Sequence, residues 1–282
     1  MTQVVAVTDP AGRQARFAAR LSSAFSAAGI GLELRSHREL ITEVSIEQPL
    51  GQEPIVDPDR PLLWLSPGDA AQPGTADGRF LASEAYAAAR SIATVTRSPV
   101  FNRPSAVSAC GTFPPGPALA VRGARHRDLA AVRAERFTAA RPPGGDGTGA
   151  GRLEVYDYAT GSSSYGPVPS SAGPFRSRAA VGRASLVKVR VVGERALAAV
   201  GVTPATLAAS RRLAAWYQLD MATVWWLIGR DGGARTLARI DCWAWDAGFA
   251  AGIGEAAEIG EAAEAVAAWM GGRLGRPAGT SR

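Results

Sequence analysis

The stretch QVVAVTDPAGRQARFAARLSSAFSAAGIGLELRS, residues 3–36, limits the fold more than any other feature of the chain. QVVAVTD is a short β-branched run that ends in a turn. A helical pattern follows, with Phe17, Leu21 and Phe25 at i, i+4 and i+8 and Gly29 as the expected C-cap. IGLELRS then reads as a strand. Strand, helix, strand is a βαβ unit, whose parallel pairing buries the strands on both faces. RPLLWLSPGD adds another buried strand with a turn after it, DGRFLASEAYAAARSIATV a helix, and SPVFNRPSAV a strand that leads into a loop. A small α/β domain is therefore expected over residues 1–104.

Beyond it the pattern changes. A Pro/Gly-rich linker runs from Gly111 to Pro117, and RDLAAVRAERFTAARP is helical at first. A glycine-rich loop, RPPGGDGTGAG, precedes the alternating strand RLEVYDY, and a Ser/Gly/Pro loop covers ATGSSSYGPVPSSAGP. SRAAVGRASLVKVRVVGERALAAVG reads as strand, turn and two long strands, with the tight turn at Gly193 and Glu194. TPATLAASRRLAAWYQLD is a capped helix with Thr203 as N-cap and Pro204 at its first position. MATVWWLIGRDGGARTLARIDCWAW is a hairpin, and the final helix carries Glu255, Glu258, Glu261 and Glu264 along one solvated face.

Composition narrows the function classes. With 46% hydrophobic and 20% charged residues, the 282-residue chain can bury a sizeable core. The net charge of +6 is scattered rather than packed in a run, so a small anionic ligand fits as well as a polymer, and no nucleic acid is expected. Lys188 is the only lysine, so arginine must bind phosphate everywhere else. Cys110 and Cys242 make neither a disulfide framework nor a Cys-rich metal site, and His37 and His126 are too isolated for one based on histidine. Cys110 with His126 as base is the one nucleophile pair to weigh, against a buried small thiol. No apolar run approaches about 18 residues, so no membrane span is expected. The N-terminus reaches Asp9 and Pro10 at once, unlike a secretory signal, and the expectation is a soluble, cytoplasmic protein.

The glycine loop carries Gly144, Gly145, Gly147, Gly149 and Gly151. A P-loop or a dinucleotide fingerprint would need a helix after the glycines, and RLEVYDY alternates like a strand. Two readings remain: a surface hairpin, or a flap whose bare N–H groups fold over a triphosphate. Lys188 and Arg190 alternate on LVKVRVV, an arrangement suited to phosphate if that strand face borders a cleft and to solvent if it does not.

Four motifs bear on that choice. SPVFNRPSA is similar to the "NRP" linker, and ARPPGGDGTGAG to the lid loop, of ATP-grasp ligases near glutathione synthetase and the peptide-modifying ligases. LVKVRVVGERALAAV resembles their "R V.VVG.R..AA" strand pair, and LAAWYQLDMATVWWLIGRDGGARTLARIDCWAW their closing segment. The motifs cover roughly residues 97–247. The resemblance implies an α/β, ATP-grasp-like fold: an N-terminal domain at 1–104, a lid at 105–200, a C-terminal part at 201–272 and a tail at 273–282. It implies ATP and Mg2+ as cofactors and a small-molecule or peptide carboxylate as substrate, joined to an amine or thiol through an acyl phosphate, with a homodimer as a weak expectation. By position, Arg141, Gly144, Gly145, Gly147, Gly149 and Lys188 would bind the nucleotide, Arg190 would steady the acyl phosphate, and Asp220 with Asp241 would hold the metal. Asp220 has a second reading as a strand-end residue that caps a turn. Arg141 stands where the family has lysine, and Arg239 where it has a metal-binding glutamate. The alternative these departures raise is a catalytically degenerate relative that binds a partner.

Overall fold

The structure, a computed structural model, describes residues 3–8, 15–65, 75–105, 135–138, 153–157, 162–165, 174–179, 184–198, 201–229, 235–242 and 255–275. The chain divides into two compact units. One comprises residues 1–113, 189–224 and 241–282, the other residues 114–188 and 225–240.

The first unit is built on the opening βαβ. Strand β1 (Gln3–Val7) pairs in parallel with β2 (Gly31–Arg35) on one side and with β5 (Leu62–Trp64) on the other, and β5 pairs in parallel with β6 (Val100–Phe101). The sheet order is β2-β1-β5-β6. Side chains alternate across a strand, so Val4, Ala6, Leu63 and Leu65 share one face. They pack on Phe17, Leu21 and Phe25 of α1 (Ala15–Ala27) and on Ile259, Ala262, Val266 and Met270 of α5 (Glu255–Leu274). Val5, Val7, Leu62 and Trp64 take the other face, under α2 (His37–Glu43) and α3 (Ala76–Val95). Gly29 ends α1 with φ of 70°, the left-handed backbone that a C-cap glycine supplies.

Two elements of this unit go beyond the sequence reading. Helix α2 starts at a capping box: Ser36 Oγ accepts from Glu39 N–H at 3.2 Å, and Ser36 N–H donates to Glu39 Oε2 at 2.8 Å. It is followed by a small antiparallel pair, β3 (Ser45–Glu47) and β4 (Ile55–Asp57).

The second unit carries an antiparallel sheet of order β7-β10-β8-β9, made of β7 (Glu135–Thr138), β8 (Leu153–Asp157), β9 (Ser162–Tyr165) and β10 (Phe175–Ala179). Residues 135–138 lie in the second half of the segment read as helical at first, and they are a strand. β9 lies inside the stretch read as a Ser/Gly/Pro loop. In both cases strand partners fix an extended backbone that local composition does not call for. Phe175, Ser177 and Val155 are buried, while Arg176 sits over the Tyr156 ring at 5.3 Å. Arg178 holds Glu154 with two bonds of 2.8 and 2.5 Å and donates to the Ala238 carbonyl at 3.4 Å.

A third sheet has the order β12-β11-β13-β14, made of β11 (Ala184–Val192), β12 (Arg195–Ala198), β13 (Met221–Gly229) and β14 (Arg235–Asp241). Helix α4 (Pro204–Trp216) begins as expected, with Thr203 Oγ1 accepting from Thr206 N–H at 3.3 Å. Between β11 and β12 the turn at Gly193 has φ of 55°. A Cβ there would stand 2.9 Å from Trp269 Cδ1, so glycine satisfies both the backbone and the close approach.

Candidate functional site

Strand β11 reads Ala-Ser-Leu-Val-Lys-Val-Arg-Val-Val. Val189, Val191 and Val192 are buried, as the apolar positions require, but Arg190 between them is also only 2% exposed. Burying a guanidinium carries a desolvation cost that its contacts must offset. Lys188 stands two residues earlier, half-buried. Arg190 lies across from Leu197 in the ladder to β12, so the strand pair holds its backbone.

The expected linker NRP is a lock. Asn102 is fully buried and left-handed, with φ of 56°. Its side chain copies a strand partner for Met221: Met221 N–H donates to Asn102 Oδ1 at 2.8 Å, and Asn102 Nδ2 donates to the Met221 carbonyl at 3.1 Å. The Asn102 backbone N–H donates to Asp220 Oδ2 at 2.9 Å, and the Asp220 carbonyl accepts from Gly193 N–H at 2.6 Å. Asn102 thereby ties β6 to the start of β13, and Asp220 ties that start to the β11–β12 turn. Arg103 donates to the carbonyls of Ala93, Thr94, Thr96 and Ser98 at 2.8 to 3.3 Å, which caps the end of α3 with a cation. Phe101 meets Trp269 edge-on at 4.9 Å, and the Arg273 guanidinium lies 5.0 Å over the same indole.

Asp220 therefore sits in a bend one residue ahead of β13, and the turn-capping reading describes its geometry. Burial pushes its carboxyl above the ordinary aspartate range. The Asn102 N–H, Arg273 and Arg103 pull the other way, with smaller effect. A folded-state value above the unfolded one means the folded chain binds the proton more tightly, so this group's stability contribution is present below the unfolded value and is lost as pH rises through the folded value. Asp220→Asn is expected to gain stability relative to the parent as pH rises from about 3.5 upward. Urea unfolding across that range measures it. A difference that stays flat with pH would show that burial does not control this carboxyl.

Among the described residues no three His, Cys, Asp or Glu side chains cluster as a metal site. Asp241 closes β14, with Arg239 two residues before it on the same strand, and their side chains lie outside the described residues. So do Arg141, Gly144, Gly145, Gly147 and Gly149. The structure thus gathers Asn102, Arg103, Asp220 and Arg273 at one place in the first unit and buries Arg190 on β11. Sequence reasoning gave Asn102 and Arg103 no task. The signal was Asn before Arg-Pro at the end of a buried strand, where a left-handed Asn is tolerated. The fit for phosphate rests on Arg190 and Lys188. Asp220 commits one carboxylate oxygen, Oδ2, to the Asn102 N–H.

No family model matches the sequence, and no curated protein matches it either. Solved structures do. The ATP-grasp ligase PsnB, complexed with a phosphomimetic variant of a minimal precursor, Mg and ADP, aligns over 95% of this chain and 98% of its own, with a TM-score of 0.64 at 16% identity. The macrocyclase MdnC from Microcystis aeruginosa MRC, bound with precursor peptide MdnA, aligns over 96% and 99%, with a TM-score of 0.64 at 10% identity. An ATP-grasp ligase from Chryseobacterium gregarium, in complex with ADP and a leader and core peptide, aligns over 98% of both chains, with a TM-score of 0.59 at 10% identity. With full-length alignment to these three, a parallel N-terminal sheet and an antiparallel sheet of its own in the second unit, the chain has the ATP-grasp fold.

Proposed function

We propose that this chain is an ATP-dependent ligase that joins a carboxylate of a peptide substrate to an amine. The observation that carries the reading is Arg190, a guanidinium buried to 2% exposure on β11 of an ATP-grasp fold. The peptide as substrate is taken from the structural neighbours, which bind precursor peptides.

ATP would supply the phosphoryl group. A carboxylate oxygen of the substrate attacks the γ-phosphorus, the bond to the ADP oxygen breaks, and an acyl phosphate results. The amine then adds to the acyl carbon, phosphate leaves with the bonding pair, and the amine proton passes to solvent. Such chemistry asks a protein mainly to position groups and neutralise charge. Arg190 offers a rigid fork of donors to the transferring oxygens, and Lys188 adds a second cation from the same strand. Arg141 and the glycines at 144, 145, 147 and 149 would close over the phosphates. Asp241 is the carboxylate we assign to magnesium, which would neutralise charge on the transferring phosphoryl group. Homodimerisation and a cytoplasmic place of action belong to the same proposal. Among the described residues no helix is long and apolar enough to cross a membrane.

The test is phosphate release from ATP by the purified chain, with and without a library of glutamate- and aspartate-containing peptides that also carry lysine. Release that needs both a peptide and magnesium supports the ligase, and a mass loss of one water per bond identifies the product. A second reading, a degenerate relative that binds without turnover, is favoured by Arg239 on β14 and by the structural use of Asp220. Peptide binding with no phosphate release under any condition would select it.

A further inference from the structure

Strands β3 and β4 form a sheet of their own, joined to no other strand among the described residues. In their register Ile46 lies across from Val56, Glu47 from Ile55 and Ser45 from Asp57. Directly opposed side chains share a face, and successive ones alternate. Val56 is buried and marks the inner face, so Ser45, Glu47, Ile55 and Asp57 make the outer one, and all four are exposed. The turn between the strands is braced. Gln52 N–H donates to the Pro49 carbonyl at 3.1 Å, and Gln48 Nε2 donates to the Gln52 carbonyl at 2.7 Å. That brace holds Leu50 at the tip with its side chain fully exposed, while Ile55 on the outer face is 47% exposed. Large apolar side chains grouped on a held hairpin, outside the core, are the pattern of a surface that meets a partner.

The charge of the hairpin selects the occupant. From Glu39 to Asp59 the chain carries six acidic residues and no basic one, in a protein of net charge +6. Four of the six are engaged: Glu39 caps α2, Glu43 holds Arg35 at 2.7 Å, Glu53 holds Arg97 at 2.8 Å, and Asp59 accepts from Ser98 N–H at 3.2 Å. Glu47 and Asp57 make no ion pair among the described residues, and they flank Ile55, one across the ladder and one two positions along β4. A second copy of this hairpin would bring carboxylate against carboxylate, whereas a basic residue beside an apolar one complements both features. We propose that the outer face of the β3–β4 hairpin is a docking surface for an extended peptide segment with arginine or lysine two positions from a large apolar residue. Side chains two apart in such a segment share a side at a spacing of about 6.6 Å, so the cation meets Glu47 and Asp57 while the apolar side chain covers Ile55. That the peptide is the substrate rests on the proposed ligase reading; its basic and apolar chemistry rests on the hairpin.

The experiment is a titration of the full 15N-labelled chain with the blocked peptide acetyl-Arg-Gly-Leu-Gly-Arg amide, following the backbone amide signals of Glu47, Ile55 and Asp57. The control is acetyl-Glu-Gly-Leu-Gly-Glu amide. The three signals are expected to move saturably with the basic peptide and not with the acidic one. Reversing both charges, Glu47→Lys with Asp57→Lys, is expected to weaken the basic peptide about tenfold and to admit the acidic one. Ile55→Ser tests the same face without changing its charge and is expected to weaken the basic peptide about fivefold. Equal response to the two peptides, or binding of the basic peptide unchanged by the reversal and by Ile55→Ser, overturns the surface. So do hairpin signals that move with protein concentration and not with peptide, since a second copy would then cover the face. Neither ATP nor turnover enters this measurement, so its failure leaves the nucleotide reading standing, and a failed ATP titration leaves the docking surface standing.

Discussion

Asn102→Ala is expected to lower the stability of the folded chain by about 4 kcal/mol, because it leaves the Met221 N–H and carbonyl buried without partners and forces alanine into a left-handed backbone. Both Met221 bonds run through the Asn102 side chain, at 2.8 and 3.1 Å, and the site is fully buried, so water does not replace them at low cost. Asn102→Gly separates the two contributions. It tolerates φ of 56° but also lacks the amide, and it is expected to recover about 1 kcal/mol of the loss. Urea unfolding followed by circular dichroism measures both. A loss below about 1 kcal/mol for the alanine variant would mean that β6 and β13 are joined by other contacts.

Arg190→Met is expected to reduce peptide-dependent phosphate release by about 100-fold, the usual cost of removing one preorganised donor from a developing charge. Methionine matches the stem and removes the fork. Arg190 is buried, so its loss also exposes any paired carboxylate to an uncompensated interior, which costs about 3–5 kcal/mol where it occurs. Arg190→Lys guards against that ambiguity, since it keeps the charge and loses only the bidentate geometry. A folded lysine variant with full activity would remove Arg190 from the chemistry.

The βαβ opening was legible because periodicity and burial agree there: Phe17, Leu21 and Phe25 repeat at helical spacing, and the strands beside them are apolar on both faces. The Gly193 turn and the Thr203 cap were legible because each depends on one local residue type. Helix α2 went unread although Ser36 and Glu39 spell a capping box, because only Leu40 of its seven residues is buried and no apolar stripe accompanies the cap. β9 is Ser-Ser-Ser-Tyr, a strand only by virtue of its pairing with β8. At the candidate site, the alternation of Lys188 and Arg190 was visible, but the burial of Arg190 was not, since a strand's period does not say which face meets solvent. Asp220 stayed open between metal ligand and turn cap because its partner, the Asn102 N–H, lies 118 positions away in the chain. A contact at that separation leaves no trace in spacing.

The central claim is nucleotide binding by an ATP-grasp fold, and calorimetric titration of the full chain with ATP, with and without magnesium, tests it most directly. The account predicts saturable binding that requires magnesium and is lost in Asp241→Ala while that variant keeps its unfolding temperature. Absence of binding in both conditions by a folded protein would contradict it.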